Sequence, residues 1–559
     1  MSSIYTFRPI VKDQYTAARS YFLCVIGLLF VESMLRLPAF LLSLRKSDLG
    51  SAKHLQRHWT ATVWLHKLST LPSLVPFLTH HIIPSIFRCL VFTGLNFLWG
   101  WNRIRYSTDY QLYGWLTIAN AGLALLFPTR TNLFSTVARI PSPILLMYHR
   151  WAGVAATAHA SLHFGLTAQS YIRTKQFDVV LENIRIRVGI MAWAALALMF
   201  LTSIRLLRRR TFELFYYTHF IFLVFIGGAL YHAAHGPEFL LPGLVLWAID
   251  RIVRFWYNFR GITVKSVTQY SGNVTKIQFE GAKTVSPGQI AWVQIPSVSL
   301  ANWHPFTIAS APGDEVGTIA VRALGGYTKK VQQSSIIPVS EPKCSTDRSP
   351  HSSSTTTAIP TRLRLDGPYG VGRIEWMQYP VIVLVAGGIG ITPGISIASH
   401  VVKYAMARMA VETPPGPQWH IHLLWTVSDT SHARWFEDEL INLAEPCARP
   451  NAPVSLDVTI HVTSHIVGAA AAMGRREGLE EENGVGDDAS RRYNGPGEVR
   501  GGRPNVLKWF QRVKEARAGL DAAVNICGPR SLMDDARRAA AAVSCRGGLF
   551  YVEDEEFEF

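Results

Sequence analysis

Seven apolar runs, each close to the length that crosses a lipid bilayer, occupy the first half of this sequence. A helix needs about 20 mainly apolar residues to span a bilayer. Runs of this kind cover roughly residues 21–44, 80–100, 111–128, 143–166, 187–206, 213–233 and 238–257. We therefore predict a multi-span α-helical membrane domain of about seven helices. The hydrophobic fraction of 48% and the mean hydropathy of +0.15 fit this class.

The net charge of +16 is distributed in a way that argues against a nucleic-acid partner. It forms no single basic stripe. Short clusters such as Arg208-Arg209-Arg210 lie beside apolar runs instead, as expected for loops on the cytoplasmic face. With seven spans, this places the N-terminus outside and the C-terminal half in the cytoplasm. We expect no cleavable signal peptide, and the six scattered cysteines favour neither disulfides nor a zinc site.

The residue pattern changes at about residue 259, and the sequence as a whole predicts three domains. Residues 1–258 form the membrane domain, and residues 259–376, rich in short β-type runs, predict an antiparallel β-barrel. Residues 377–559 alternate strand and helix patterns and predict a doubly wound α/β domain. The segments 334–361 and 467–503 fit neither pattern and are predicted to be disordered insertions.

Histidines lie inside two of the apolar runs, where polar side chains are costly and are functional candidates. His149 and His163 are 14 residues apart on the fourth run, which is roughly 21 Å of helix with an offset of only about 40°. His219 and His232 on the sixth run are separated by roughly 20 Å. Pairing across helices predicts two stacked bis-imidazole sites, His149 with His219 and His163 with His232. Such sites suit a haem iron that only transfers electrons. The alternative is that these histidines are polar packing groups between helices.

The 13-residue step from His219 to His232 conflicts with an ideal helix, on which it rotates the second side chain by about 140°. A distortion of the sixth run is therefore expected, and Gly227-Gly228 is the predicted place. His159 and His235 are expected to be spectators or modulators.

Two segments of the predicted barrel offer what a flavin nucleotide requires. Apolar contacts and hydroxyl partners for the flavin ring come from a segment at the end of a predicted strand that contains His304, Pro305, Phe306, Thr307, Ile308 and Ser310. Backbone amides, a hydroxyl and nearby positive charge for a pyrophosphate come from Gly325, Gly326 and Thr328.

A glycine-rich turn between a buried strand and a helix predicts a second pyrophosphate site. The strand covers residues 381–386, and the turn contains Gly387, Gly388, Gly390, Thr392 and Pro393. Further Gly-Pro turns occur at Gly367, Pro368 and Gly370 and at Gly528 and Pro529. Cys527 is either an ordinary buried residue or a neighbour of a nicotinamide ring, and spacing alone does not decide between them.

Together these motifs resemble the ferric reductase and NADPH oxidase superfamily, over nearly the whole chain apart from its first ~80 residues and the two insertions. By that resemblance the four histidines bind two b-type haems, residues 304–310 bind FAD, and the Asp366–Gly370, Gly387–Pro393 and Cys527–Pro529 motifs bind NADPH. The 13-residue step is also the spacing of the family. The C-terminal residue, Phe559, resembles the aromatic residue that covers the flavin in this family.

The resemblance implies a fungal-type ferric-chelate reductase that moves electrons from NADPH through FAD and two haems to Fe(III) or Cu(II) chelates outside the cell or in a lumen. The plasma membrane is the expected location, with the vacuolar membrane as an alternative, and an iron permease or copper transporter could act downstream. A superoxide-generating NADPH oxidase is the main alternative, and a non-enzymatic transporter or scaffold is a remote one. Ser428-Asp429 stands where the family usually has an arginine, which favours a free ribose 2′-hydroxyl, although NADPH remains the prediction.

Overall fold

The computed structural model describes residues 13–44, 63–64, 66–67, 70, 82–100, 110–130, 132–136, 140, 142–258, 261–281, 284–300, 302–333, 362–370, 374–409, 419–464 and 493–555. The predicted insertion 334–361 and Phe559 lie outside these residues. The second predicted insertion, 467–503, is wrong at its C-terminal end, where residues Glu498–Gly501 form a strand. This strand is four residues long, charged and largely exposed, so it carries no apolar signal in the sequence.

Each of the seven predicted apolar runs coincides with helix in the structure. In chain order the helices of the first half are α1 Gln14–Leu44, α2 Ile82–Gly100, α3 Tyr110–Leu126, α4 Leu133–Thr136, α5 Ser142–Arg173, α6 Phe177–Leu181, α7 Ile184–Ser203, α8 Arg205–Arg210, α9 Phe212–His219, α10 Phe222–His232 and α11 Gly236–Asn258. Among the described residues, three stretches are long and apolar enough to cross a membrane: Gln14–Met34, Ile184–Ser203 and Phe212–His232. The count of seven spans stays a prediction.

The helical domain is apolar on its outside as well as in its core. Its buried core contains Leu116 of α3, Tyr148 of α5 and Phe239 of α11. Large apolar side chains such as Phe97 of α2 and Leu201 of α7 are more than half exposed on the protein surface. Exposed apolar faces of this extent are unfavourable in water and favourable in lipid, so the helices have the character of a membrane domain.

The second domain is a six-stranded antiparallel sheet that carries one helix. Its strands are β1 Gly261–Tyr270, β2 Val274–Glu280, β3 Ile290–Gln294, β4 His304–Thr307, β5 Val316–Arg322 and β6 Arg362–Tyr369, in the spatial order β4-β3-β6-β1-β2-β5. Helix α12, Gly326–Gln333, follows β5. The interior is formed by inward-facing side chains such as Phe279, Val293 and Ile319, all fully buried.

The third domain is a six-stranded parallel sheet between helices, as predicted. It contains β7 Val381–Gly387, α13 Ile391–Met409, β8 Trp419–Val427, α14 Glu437–Cys447, β9 Val454–Val462, β10 Glu498–Gly501, α15 Val506–Ala516, β11 Ala522–Cys527, α16 Arg530–Val543 and β12 Phe550–Glu555. The spatial order is β10-β9-β8-β7-β11-β12, so the chain reverses direction across the sheet between β7 and β11. Ligands of doubly wound sheets bind at the carboxyl ends of the strands at such a switch point.

Candidate functional site

The structure brings together the two histidine pairs that the spacing predicts. The ring centres of His149 on α5 and His219 on α9 are 6.0 Å apart, and those of His163 on α5 and His232 on α10 are 6.2 Å apart. Two imidazoles bound on opposite sides of one metal through bonds of about 2 Å have ring centres roughly 6 Å apart. Both pairs therefore have the separation of bis-imidazole metal ligands.

Three of the four rings are oriented by a backbone carbonyl. The Nδ1 atoms of His149, His163 and His232 lie 2.8, 2.7 and 2.9 Å from the carbonyl oxygens of Ala124, Tyr110 and Arg185, respectively. A carbonyl only accepts, so Nδ1 carries the hydrogen and Nε2 keeps the lone pair that binds a metal. Within the described residues, Nδ1 of His219 is buried without a hydrogen-bond partner. The residues present thus fit the axial ligation of two haems.

Two glycines make room for the rings of the second pair. A Cβ added to Gly189 of α7 would lie 2.6 Å from Nδ1 of His232, and one added to Gly114 of α3 would lie 3.2 Å from Nδ1 of His163. The first distance is too short for any side chain. Glycine at 189 therefore lets α7 approach the ring of His232 closely enough to accept its hydrogen bond at Arg185.

The distortion of the sixth run lies before the predicted glycine pair, so that prediction is wrong. α9 ends at His219 and α10 begins at Phe222, while Gly227 and Gly228 lie inside α10. At the break, the amides of Phe220, Ile221, Leu223 and Val224 each donate to a carbonyl three residues earlier. Such 3₁₀-type turns rotate about 20° more per residue than an α-helix. Four of them offset about 80° of the 140° mismatch.

His159, in the fourth run, and His235, just after the sixth, pair with no other histidine among the described residues. Nε2 of His159 lies 3.3 Å from Oδ1 of Asn96, and its ring stacks on Tyr113. His235 is exposed, lies 3.4 Å from the carboxylate of Glu238 and contacts the ring of Tyr15. His159 belongs to a buried polar network between helices, and His235 to the domain surface.

The predicted flavin motif lies on β4 and continues into the loop that follows. The His304 ring stacks on Tyr327 of α12 at 4.1 Å, and burial lowers the pKa of His304. Thr307 is buried, and its Oγ1 has no partner among the described residues. Pro305 and Phe306 pair with Trp292 and Ala291 of β3, while Ile308 bridges to Ile319 and Ser310 accepts from the amide of Thr318. An unpartnered buried hydroxyl beside apolar strands fits a flavin ring.

The predicted pyrophosphate turn of the barrel caps helix α12. Oγ1 of Thr328 accepts hydrogen bonds from the amides of Leu324 and Gly325, and donates to the carbonyl of Gly325. Gly326 begins the helix, and a Cβ at either glycine would meet nothing within 4 Å. The threonine therefore serves the turn itself, and the open space over the two glycines lies at the helix N-terminus, where anions are stabilised.

The glycine turn after β7 and the turn after β11 meet at the switch point. Gly388 has a φ of +57°, which favours glycine, and its carbonyl accepts a hydrogen bond from the indole of Trp425. A Cβ on Gly390 would lie 2.5 Å from the carbonyl oxygen of Cys527, and one on Gly387 would lie 2.4 Å from Cδ of Pro529. Thr392 and Pro393 follow in the first turn of α13, and Gly528 contacts the backbone of Gly387. The two turns therefore pack directly against each other at the carboxyl ends of β7 and β11.

The motif Asp366–Gly370 lies at the end of β6, and its members face different ways. Gly367 has a φ of +133° and packs against the backbone of β3, and the bond to Pro368 is cis. The carbonyl of Gly370 accepts from the amide side chain of Gln289. Asp366, which is 1% exposed, instead binds the arginines of the helical domain, Arg130 and Arg254.

Three residues of these surfaces were missed by sequence reasoning: Arg130, Arg254 and Glu555. Glu555 ends β12, pairs in register with Cys527 and is half-buried, and desolvation together with neighbouring Glu553 raises its pKa to about 8. Burial and the carboxylates of Glu555 and Asp554 raise the pKa of the Cys527 thiol, which stays neutral. Within the acidic run Glu553–Glu556, nothing in the sequence distinguishes Glu555.

Three family models match consecutive parts of the chain. A ferric reductase like transmembrane component matches residues 113–230, an FAD-binding domain matches residues 259–373, and a ferric reductase NAD-binding domain matches residues 379–541. Their order agrees with the helical domain, the barrel and the α/β domain of the structure.

Several curated proteins are similar to this chain. NADPH oxidase 1 of Mus musculus is 26% identical over 431 residues, which cover 66% of each chain. A superoxide-generating NADPH oxidase heavy chain of Dictyostelium discoideum is 25% identical and covers 78% of this chain and 86% of its own length. The chloroplastic ferric reduction oxidase 7 of Arabidopsis thaliana is 26% identical, with 60% of this chain and 45% of that protein covered. The chain thus spans about two thirds of the mouse protein and less than half of the plant one.

Proposed function

This chain belongs to the ferric reductase and NADPH oxidase superfamily, and on that premise we propose that it is a transmembrane ferric-chelate reductase driven by NADPH. Electrons would enter from the cytoplasm, with the C-terminal domains on that side, and leave at the opposite face of the plasma membrane. The observation that carries the proposal is the coexistence of two histidine pairs at 6.0 and 6.2 Å with the glycine turns at the switch point of the parallel sheet.

The four histidines are proposed to hold the metal groups. Bound FAD would take a hydride from NADPH and release single electrons, and two b-type haems would relay them. His149 and His219 would hold the haem nearer the flavin domain, while His163 and His232 would hold the outer one. The carbonyls of Ala124, Tyr110 and Arg185 fix the ligand tautomers.

The soluble domains are proposed to bind and orient the two nucleotides. Thr307 would donate a hydrogen bond to the flavin ring. Gly325 and Gly326, at the N-terminus of α12, would bind the pyrophosphate of FAD. Gly387, Gly388, Gly390, Thr392 and Pro393 would hold the NADPH pyrophosphate, with Gly367, Pro368, Gly370, Gly528 and Pro529 shaping the walls of the cleft. Cys527, neutral and buried, would contact the nicotinamide, and Phe559 would cover the flavin until the nicotinamide arrives.

The acceptor is the point at which two functions of this superfamily differ. A Fe(III) or Cu(II) chelate is proposed, and oxygen, reduced to superoxide, is the alternative, favoured by the similarity to the Dictyostelium oxidase. NADPH oxidation by the purified chain is measured with ferric chelate, with cupric ion and with oxygen alone. The comparison distinguishes a metal reductase from an oxidase. Ferric-dependent oxidation that persists without oxygen supports the reductase, and oxidation that requires oxygen and yields superoxide overturns it.

A further inference from the structure

A buried ion cluster joins the helical domain to the barrel. Oδ2 of Asp366 on β6 is bound by Nη1 of Arg130 and lies 3.0 Å from Nε of Arg254. Its other oxygen, Oδ1, accepts a hydrogen bond from the hydroxyl of Tyr369. Arg130 follows α3 and Arg254 lies on α11, so two separate parts of the helical domain grip one carboxylate of the barrel.

A second buried carboxylate completes the cluster from the helical side. Asp250 on α11, 1% exposed, lies 3.6 Å from Nη1 of Arg254 and accepts the backbone amide of Arg130 at 3.1 Å. Arg251, which is 43% exposed, also lies 3.9 Å from Asp250, so three arginines surround the two buried aspartates. Removing one member of such a buried set leaves its partners without compensation, so the set holds one geometry.

The same cluster links the predicted flavin motif to the His149–His219 pair through neighbouring residues. The Arg130 guanidinium lies 3.5 Å from the ring centre of Trp292 on β3. Trp292 is paired in register with Pro305 of the flavin motif on one side and with Asp366 on the other. On the helical side, Arg130 is six residues after Ala124, whose carbonyl orients His149. Arg130 therefore stands between the flavin motif and the first histidine pair.

We propose that Arg130, Asp366 and Arg254 are positioning residues that fix the flavin domain against the His149–His219 pair and thereby set the rate of electron transfer between them. This inference rests on the proposed function. Electron transfer slows as the separation of donor and acceptor grows, and even in ordinary catalysis a misplacement of about 1 Å caused by a distant substitution can cost about 100-fold in rate. Arg130 and Arg254 belong to neither a histidine pair nor a glycine turn, and Asp366 precedes the Gly367–Gly370 turn with its carboxylate bound to the two arginines.

The test is Arg254→Gln in the full chain with both cofactors bound, reduced by NADPH in an anaerobic stopped-flow instrument; the substitution removes the contact with Asp366 from the helical side. Flavin bleaching and haem reduction are followed separately. The flavin rate is expected to stay within about twofold of the parent, while haem reduction slows about tenfold or more at unchanged haem content. The matched control is Glu280→Gln, which removes an exposed cross-strand ion pair with Lys265 and leaves both rates unchanged.

Haem reduction in Arg254→Gln at the parental rate would overturn the inference. Should this variant lose its cofactors, Arg254→Lys decides, since it keeps the charge and loses the Nε contact. It is expected to slow haem reduction about threefold, and a parental rate there overturns the inference equally. A parent chain whose haem NADPH does not reduce would overturn the proposed function itself, a separate result.

Discussion

At the scale of the residue, whether a histidine is suited to bind a metal depends on the group that holds the Nδ1 side of its ring. His163 is fixed by the carbonyl of Tyr110, whereas His159, one turn earlier on the same helix, contacts the amide of Asn96. Both are histidines at membrane depth, yet only His163 faces a second histidine. Neighbours thus decide which histidine can bind a metal.

Removing one ligand should therefore remove one haem. His163→Ala is expected to lose about half of the b-type absorbance in the dithionite-reduced minus oxidised spectrum, because one of two bis-histidine sites is lost. His159→Ala, the matched control one turn away, should keep the full spectrum. Full absorbance in His163→Ala would contradict the assignment of the outer pair.

One residue, Asp429, is expected to affect the choice between NADPH and NADH. Asp429, exposed just after β8, accepts hydrogen bonds from the amide and hydroxyl of Ser431. Asp429→Asn keeps these acceptor positions and removes the charge, so the ratio of kcat/KM for NADPH over that for NADH should rise about fivefold, equivalent to about 1 kcal/mol for a surface charge pair. Steady-state kinetics with both nucleotides measure this ratio. An unchanged ratio would place the 2′ group away from Asp429.

Glu555 should make stability depend on pH. Its pKa rises from an ordinary value of 4.5 to about 8 because its half-buried carboxyl is desolvated and lies near Glu553. The folded state then holds a proton that the unfolded chain releases, so stability falls by about 1.4 kcal/mol per pH unit as pH rises between these two values. Thermal unfolding of the parent and Glu555→Gln between pH 5 and pH 8 should show a smaller decline in the variant. Parallel declines would contradict the raised pKa.

At the scale of the element, the broken sixth run shows why the two pairs can form at all. The break at Phe220-Ile221 overwinds the chain between His219 and His232. Gly228 has a different task, since a Cβ there would lie 2.9 Å from Cβ of Ala192, whereas a Cβ on Gly227 would meet nothing within 4 Å. Gly228 therefore allows close packing of α10 on α7.

Substitution by alanine is consequently expected to have opposite effects at Gly227 and Gly228. Gly228→Ala should lower the thermal midpoint and the haem content, because α10 must move away from α7. Gly227→Ala should be neutral or stabilise the helix by up to about 1 kcal/mol. Thermal unfolding followed by haem absorbance compares the two variants. Equal destabilisation by both would favour a kink at the glycines over the break at Phe220-Ile221.

Much of the architecture could be predicted from the sequence, because it depends on local periodicity. The lengths of the apolar runs predicted the helices, and the 14-residue spacing predicted that His149 and His163 lie on the same side of α5. The 13-residue step predicted a break in the sixth run, but the place of the break could not be predicted, since Phe220 and Ile221 carry no glycine or proline signal. Arg130 and Asp366 are 236 residues apart, and only the tertiary fold brings them together.

At the scale of the whole molecule, the three domains lie in the order that the chemistry requires. The α/β domain carries the glycine turns, the barrel carries Thr307 beside Trp292, and the buried cluster of Asp366 ties that barrel to the helices that hold the histidines. Among the described residues, the cluster of Arg130, Arg254, Asp250 and Asp366 thus ties the barrel to the domain that holds the histidine pairs.

The proposed electron path runs from NADPH through the histidine pairs to a ferric acceptor. Its most direct test is the visible spectrum of the purified full chain, mixed anaerobically with NADPH and then with ferric chelate. We expect reduced b-type haem bands to appear with NADPH and to disappear when ferric chelate is added. Haem that dithionite reduces but NADPH does not, or reduced haem that ferric chelate leaves unchanged, would contradict this path.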